Sequence, residues 1–151
     1  MSTPSLRGWR AKDCLKRREA MRLRRRTLRA MALLCRARLL VALAPLARWR
    51  GSLGHAGGAG GEDALREAAR LARHVERAAA RLPFATKCLP RAMALSWLLR
   101  GEGIAHVLVI AARPRAGRAE ENSLHAWVEC GGRIILGDLP GPWLDVLRIG
   151  E

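Results

Sequence analysis

Two strand-like runs meet at a glycine pair in "SLHAWVEC-GG-RIILGD", and no other stretch fixes so much of the fold at once. A Gly-Gly dipeptide between two runs rich in β-branched and aromatic residues predicts an antiparallel hairpin with a two-residue turn of type I′ or II′. With Gly131 and Gly132 as the turn, Cys130 faces Arg133, Val128 faces Ile135, Trp127 faces Leu136 and His125 faces Asp138. That last pair falls at a non-hydrogen-bonded position, where Cβ atoms stand roughly 4.5–5.5 Å apart on one face of the ladder. A carboxylate at that spacing can accept an imidazole N–H, fix the ring's tautomer and stabilise its cation.

A base held in this way is useful only beside an acid or a nucleophile. In "TKCLPRAMALSWLLRGEG", Cys88 stands at the start of what reads as a compact amphipathic helix over residues 87–100. Thr86 is the expected N-cap, Pro90 sits in the first turn where no N–H is required, and Gly101 marks the stop. The first turn offers free N–H groups and the positive end of the helix dipole to an anion, which favours a thiolate, and Arg91 one turn on adds to that field. The plainer reading stays open at this point: Cys88 as a small core residue, with His125 and Asp138 an ordinary cross-strand pair. Cys130 lies on the hairpin face opposite His125 and reads as core. Trp127 reads as a packed residue or a cleft wall.

Charge divides the chain. Residues 1–50 hold 15 of the 28 Lys and Arg against only Asp13 and Glu19, so +13 of the net +15 lies there. Such a segment favours anionic partners without choosing among nucleic acid, membrane surface and acidic peptide. Residues 16–50 read as helix, bent or ended near Pro45, with Leu23, Leu28, Met31, Leu34, Leu39 and Leu43 expected to pack on the core and the arginines to face solvent. Residues 1–20 show no clear pattern, and Met21 is an alternative start. "GSLGHAGGAGG" reads as a flexible connector, because glycine at that density loses too much entropy in a helix or strand. The expected organisation is a basic helical arm over 1–50, a linker over 51–61 and a domain over 62–151. That domain opens with an amphipathic helix, "EDALREAARLARHVERAAARLPF", ended by Pro83. "AHVLVIAA" reads as a third strand.

The fold class is therefore α+β, with N-terminal helices packed on a small antiparallel sheet. A chain of 151 residues, half of them hydrophobic, is long enough for one domain with a true core. Cys14, Cys35, Cys88 and Cys130 form no CxxC pair and have no metal-ligand spacing with the histidines, which argues against a zinc ribbon. The apolar run that begins at Met31 is broken by Arg36 and Arg38, so neither a signal peptide nor a spanning helix is expected, and the chain reads as cytoplasmic with reduced thiols.

"CLPRAMALSWLLRGEGIAHVLVIAA" followed by "HAWVECGGRIILGD" resembles the leader peptidases of lasso-peptide biosynthesis, members of the transglutaminase-like (papain-like) cysteine protease superfamily. The pattern is Cys-Leu-x-Arg-Ala, Leu-Leu, Gly-Ile and His-Ala-Trp-Val-Glu, which covers residues 62–140 well and 30–50 loosely. The resemblance implies a transglutaminase-like core with the nucleophile at a helix N-terminus and a triad of Cys88, His125 and Asp138. It implies a thioester route that cuts leader from core in a precursor peptide and needs no metal or nucleotide cofactor. Trp127 and Arg91 are the substrate-binding candidates. The expected partners are the precursor peptide, a separate leader-recognition protein and the lasso cyclase, because no strand-rich recognition segment precedes the domain. No specific nucleic acid is expected, and the basic arm adds a weak contact with a membrane or acidic partner. The competing readings are another transglutaminase-like acyl transferase or amidase, and a non-catalytic basic binding module.

Overall fold

A computed structural model of the chain describes residues 6–114 and 124–151, with side chains placed from Leu15 onward, so Ser123 of the expected second strand lies outside the described residues. Four α-helices are described: α1 (Leu6–Leu43), α2 (Leu46–Trp49), α3 (Glu62–Ala79) and α4 (Cys88–Gly101). They pack on a sheet of four strands, β1 (Val107–Ala112), β2 (Leu124–Cys130), β3 (Arg133–Leu136) and β4 (Leu144–Ile149). The strand order is β3-β2-β1-β4 and every pairing is antiparallel, as an α+β chain with helices gathered on one side requires. Among the described residues no helix is long and apolar enough to cross a membrane.

The centre is α4. Pro90 and every residue from Ala92 to Leu99 are buried, so this helix is enclosed on all sides rather than amphipathic as its sequence suggested. α1 and α3 cover one flank and the sheet covers the other. Its N-cap is Lys87, not Thr86; the Thr86 hydroxyl is buried and accepts a bond of 3.0 Å from Arg91 Nε.

How α1 meets this centre departs from expectation. Leu34 is fully buried, but its neighbours on the buried face are Thr27, Ala30 and Ala37, while Leu23, Leu28, Leu39 and Leu43 are exposed. α3 also turns small residues inward, Ala64, Ala68, Ala72, Ala78 and Ala79 beside Leu71 and Val75, and alanines on both helices favour close approach, so the core takes Leu34 from α1 and leaves those four leucines outside. At this seam Thr27 Oγ1 donates to Leu23 O at 3.2 Å, so His74 Nδ1, 3.0 Å away, is the donor to the same hydroxyl. Arg26 closes the seam on Glu67 at 2.7 Å.

Residues 51–61, read above as a linker, lie along the domain. His55 and His106 exchange two backbone bonds of 3.0 and 2.9 Å, and Ala59 bridges Ile104. Gly54, at φ +69°, packs so tightly on Ile149 and Gly150 that a Cβ would collide with their backbone. Its N–H donates to Ser96 Oγ at 2.9 Å. Ser96 in turn stands 2.8 Å from His106 Nε2, and His106 Nδ1 stands 2.8 Å from the Ile104 carbonyl. A carbonyl only accepts, so Nδ1 carries the proton and the serine hydroxyl donates to Nε2. The buried chain fixes α4, the approach to β1 and the 51–61 segment in one arrangement.

The Gly-Gly hairpin is present, with φ +56° at Gly131 and +75° at Gly132, the pair of positive values a type I′ turn needs. Cys130 faces Arg133 as expected, but the ladder shifts by one residue between Val128 and Glu129, so Val128 faces Leu136 and not Ile135. A β-bulge has taken up the extra residue. β4 had no counterpart in the sequence reading.

Burial holds both inner histidines below their ordinary range, with neighbouring arginines adding to the effect at each and the Ile104 carbonyl opposing it at His106. The unfolded chain binds protons at these rings near pH 6.5, the folded chain only at lower pH. Stability is expected to fall as pH drops below about 6.5, with the decline levelling once the folded rings protonate. Thermal melts from pH 8 to 5 check this, and His74→Asn should flatten the slope. Ser96→Ala strands the Gly54 N–H and His106 Nε2, and a loss of about 1–3 kcal/mol in chemical denaturation is expected.

Candidate active site

α4 ends at the turn that leads through Ile104 into β1, and the start of β1 pairs with the end of β2, Val107 opposite Glu129. Hence α4 and β2 run the same way and begin at the same end of the sheet. The helix rises about 20 Å from Cys88 to Gly101, and β2 covers about 20 Å from Leu124 to Cys130. β3 returns to that end, which sets Gly137 and Asp138 there as well. The three residues singled out in the sequence thus share one end of the sheet.

Within that end they divide by face. Ala126, Val128 and Cys130 point into the helix-side core, against which half-buried Cys88 also packs. Alternation sends His125, Trp127 and Glu129 to the other face, where Trp127 packs with Val109, Ala111 and Trp143. The His125 ring lies 6.0 Å from the Trp127 ring and 5.1 Å from that of Trp143. Trp143 is held by its own Nε1 bond of 2.9 Å to Leu139 O and by Arg113, whose guanidinium stands 4.7 Å above the indole. The "GDLPGPW" segment therefore folds back over the histidine.

The expected His125–Asp138 pair is not formed. His125 Nε2 is 2.6 Å from the Gly137 carbonyl, and Asp138 is exposed. The bulge accounts for the lost pair: continued past Leu136, the shifted register sets Gly137 beside Trp127 and Asp138 opposite Ala126, so the carboxylate no longer faces His125 and the ring meets the Gly137 carbonyl instead. The chemical effect on the imidazole is related. A carbonyl acceptor makes Nε2 the protonated nitrogen and leaves Nδ1 as the basic one in the neutral ring. Among the described residues Cys88 Sγ makes no hydrogen bond, with His125 or any other group.

Arg91 is engaged within the fold. Its Nε bonds Thr86 and its Nη1 pairs with Glu76 Oε2 at 3.2 Å, which ties the first turn of α4 to α3. Trp127 is buried and donates from Nε1 to Glu129 Oε1 at 2.7 Å, so its polar edge faces along the strand. Burial raises the Glu129 carboxyl, but hydrogen bonds from Arg148 and Trp127 outweigh it and hold the group below its ordinary range. Arg148 also bonds Asp145 and Glu151, so the charges lining the cleft of about 370 Å³ at the opposite end of the sheet are already paired. Cys130 is buried, bonded to Ala105 O at 3.2 Å, and burial raises its thiol above the ordinary range. Among the described residues no cluster of three or more metal-ligating side chains occurs.

Sequence reasoning missed the Gly137 carbonyl and Trp143. The signal for the second was present: a Pro- and Gly-rich loop directly after Asp138 returns a tryptophan within five residues of the predicted site.

Residues 30–149 match the family model described as the transglutaminase-like superfamily. That span includes the buried half of α1 and all four strands. No curated protein and no solved structure matches the chain.

Peptide mapping after brief iodoacetamide treatment at neutral pH should show Cys88 alkylated well before Cys130, because one thiol is half-exposed and the other is buried with its proton held more tightly. His125→Ala should slow the Cys88 reaction if the ring serves it as base.

Proposed function

We propose, from the premise that the chain belongs to the transglutaminase-like superfamily, that it is a cysteine peptidase that removes the leader from a ribosomally made lasso-peptide precursor. The observation that carries this reading is the gathering of the α4 N-terminus, the start of β2 and the Gly137–Asp138 corner at one end of the sheet. His125 Nδ1 takes the Cys88 proton, and the thiolate attacks the scissile carbonyl. The Cys88 N–H, which has no partner within a helix that begins there, faces the developing oxyanion. Protonated His125 then delivers its proton to the leaving amine, and water hydrolyses the thioester to free the acid and restore the thiol.

Cys88 lies toward the helix side and His125 toward the open face, so in this reading the thiol and imidazole meet at the rim between them when peptide binds; catalytic hydrogen bonds often tighten only in that complex. Gly137 holds the ring's Nε2–H throughout, and Asp138, one residue on, contributes negative charge to the imidazolium. Leader capture falls to a separate recognition protein, and the released core passes to the cyclase.

The test is cleavage of a precursor peptide with the recognition protein present. Cys88→Ala and His125→Ala should abolish cleavage with the fold retained by circular dichroism. Asp138→Asn should lower kcat by about 100-fold, the size of an acid–base contribution, and undiminished cleavage by the cysteine variant would refute the reading. Product mass separates hydrolysis from acyl transfer: a free leader acid in one case, a new amide in the other.

A further inference from the structure

The outer side of α1 carries a second apolar stripe that the fold leaves uncovered. Met21, Leu28, Ala32, Leu39 and Leu43 recur at spacings of seven and four, which keeps them on one side of the helix over roughly 33 Å. This side lies across the helix from Ala30, Leu34 and Ala37, the residues that enter the core. Leu28 is 63% exposed, Leu39 59% and Leu43 79%.

Arginines run along both margins, Arg17 and Arg24 on one and Arg18, Arg25, Arg29 and Arg36 on the other. Arg17, Arg18, Arg24 and Arg25 make no ion pair among the described residues, whereas Arg26 is committed to Glu67 and Arg36 stacks on Trp97. The acidic complement on α1 from Leu15 onward is Glu19 alone.

We propose that α1 lies in the plane of an anionic lipid surface, with this leucine stripe between the acyl chains and the flanking guanidiniums on lipid phosphates. A stripe bordered by cations on both sides matches a sheet of headgroups, which presents phosphate on both sides of an embedded helix. Guanidinium forks bind phosphate oxygens in pairs, which suits arginine better than lysine, and nearly all the bases on this helix are arginine. A second copy of the same helix is disfavoured by like charge along its whole length. A partner protein helix has no polar position inside the stripe to set its register. The contact is parallel to the surface, because no described helix can span a bilayer. It does not depend on Cys88.

The test is co-sedimentation of the full chain with vesicles of phosphatidylcholine alone and of phosphatidylcholine mixed equally with phosphatidylglycerol. Binding to the mixed vesicles should be at least about tenfold tighter, and should weaken as salt screens the phosphates. Leu28→Glu/Leu39→Glu should abolish it without altering the melting temperature, since both side chains already face solvent. Equal binding to both vesicle types, binding to neither, or full binding by the double variant would overturn the proposal. So would capture of an acidic helical peptide with no affinity for the mixed vesicles.

Discussion

One buried hydrogen-bond chain, Gly54 N–H to Ser96 to His106 to the Ile104 carbonyl, sets the position of everything else. It places polar groups in the middle of an otherwise apolar helix, where each would be costly unpaired, and satisfies all of them at once. α4 can rest against the sheet in only one rotation that serves Ser96. With that rotation fixed, the direction of the Cys88 end and the start of β1 are fixed too. The 51–61 segment then folds against the domain because one of its N–H groups is the chain's outer donor.

The second determinant is the size of the side chains between helices. The buried sides of α1 and α3 are mostly alanine, with Leu34 and Leu71 as their large residues. The outward leucines of α1 lie across the helix from Ala30, Leu34 and Ala37, and their regular spacing gives them a coherent surface of their own. Core and exterior are coupled here: a bulky residue at Ala30 would push α1 off α3 and move the outer stripe with it.

Legibility followed the range of the interaction. The Gly131–Gly132 turn is decided by two residues and was read correctly, as was the end of α1 near Pro45, and the bounds of α4 were read to within one residue from Pro90 and Gly101. The bulge between Val128 and Glu129 was not readable, because the register beyond it depends on how Leu136 fits the core under α3 and α4. That one-residue shift takes Asp138 out of the position opposite His125, where a carboxylate was expected. α1 was misread for the same kind of reason, since periodicity shows that a helix has two apolar stripes' worth of leucine and alanine but not which stripe a neighbour will select. β4 alternates Leu-Asp-Val-Leu-Arg-Ile too weakly to announce itself, and is held by β1 rather than by its own pattern.

The two ends of the sheet are built from connections of very different length. At one end sit the two-residue hairpin turn, the short passage from α4 into β1 and the bridges to His55 and Ala59, all closed by short loops or by backbone pairs. At the other, Cys88, Ala111, His125, Gly137 and Trp143 are brought together from five places in the chain. Long closures form late and open early. Amide hydrogen exchange should therefore be graded along β1 and β2, slow at Leu108 and Val128 and faster toward Ala112 and Leu124. The end where His125 stands is thus expected to open before the end that the hairpin turn closes.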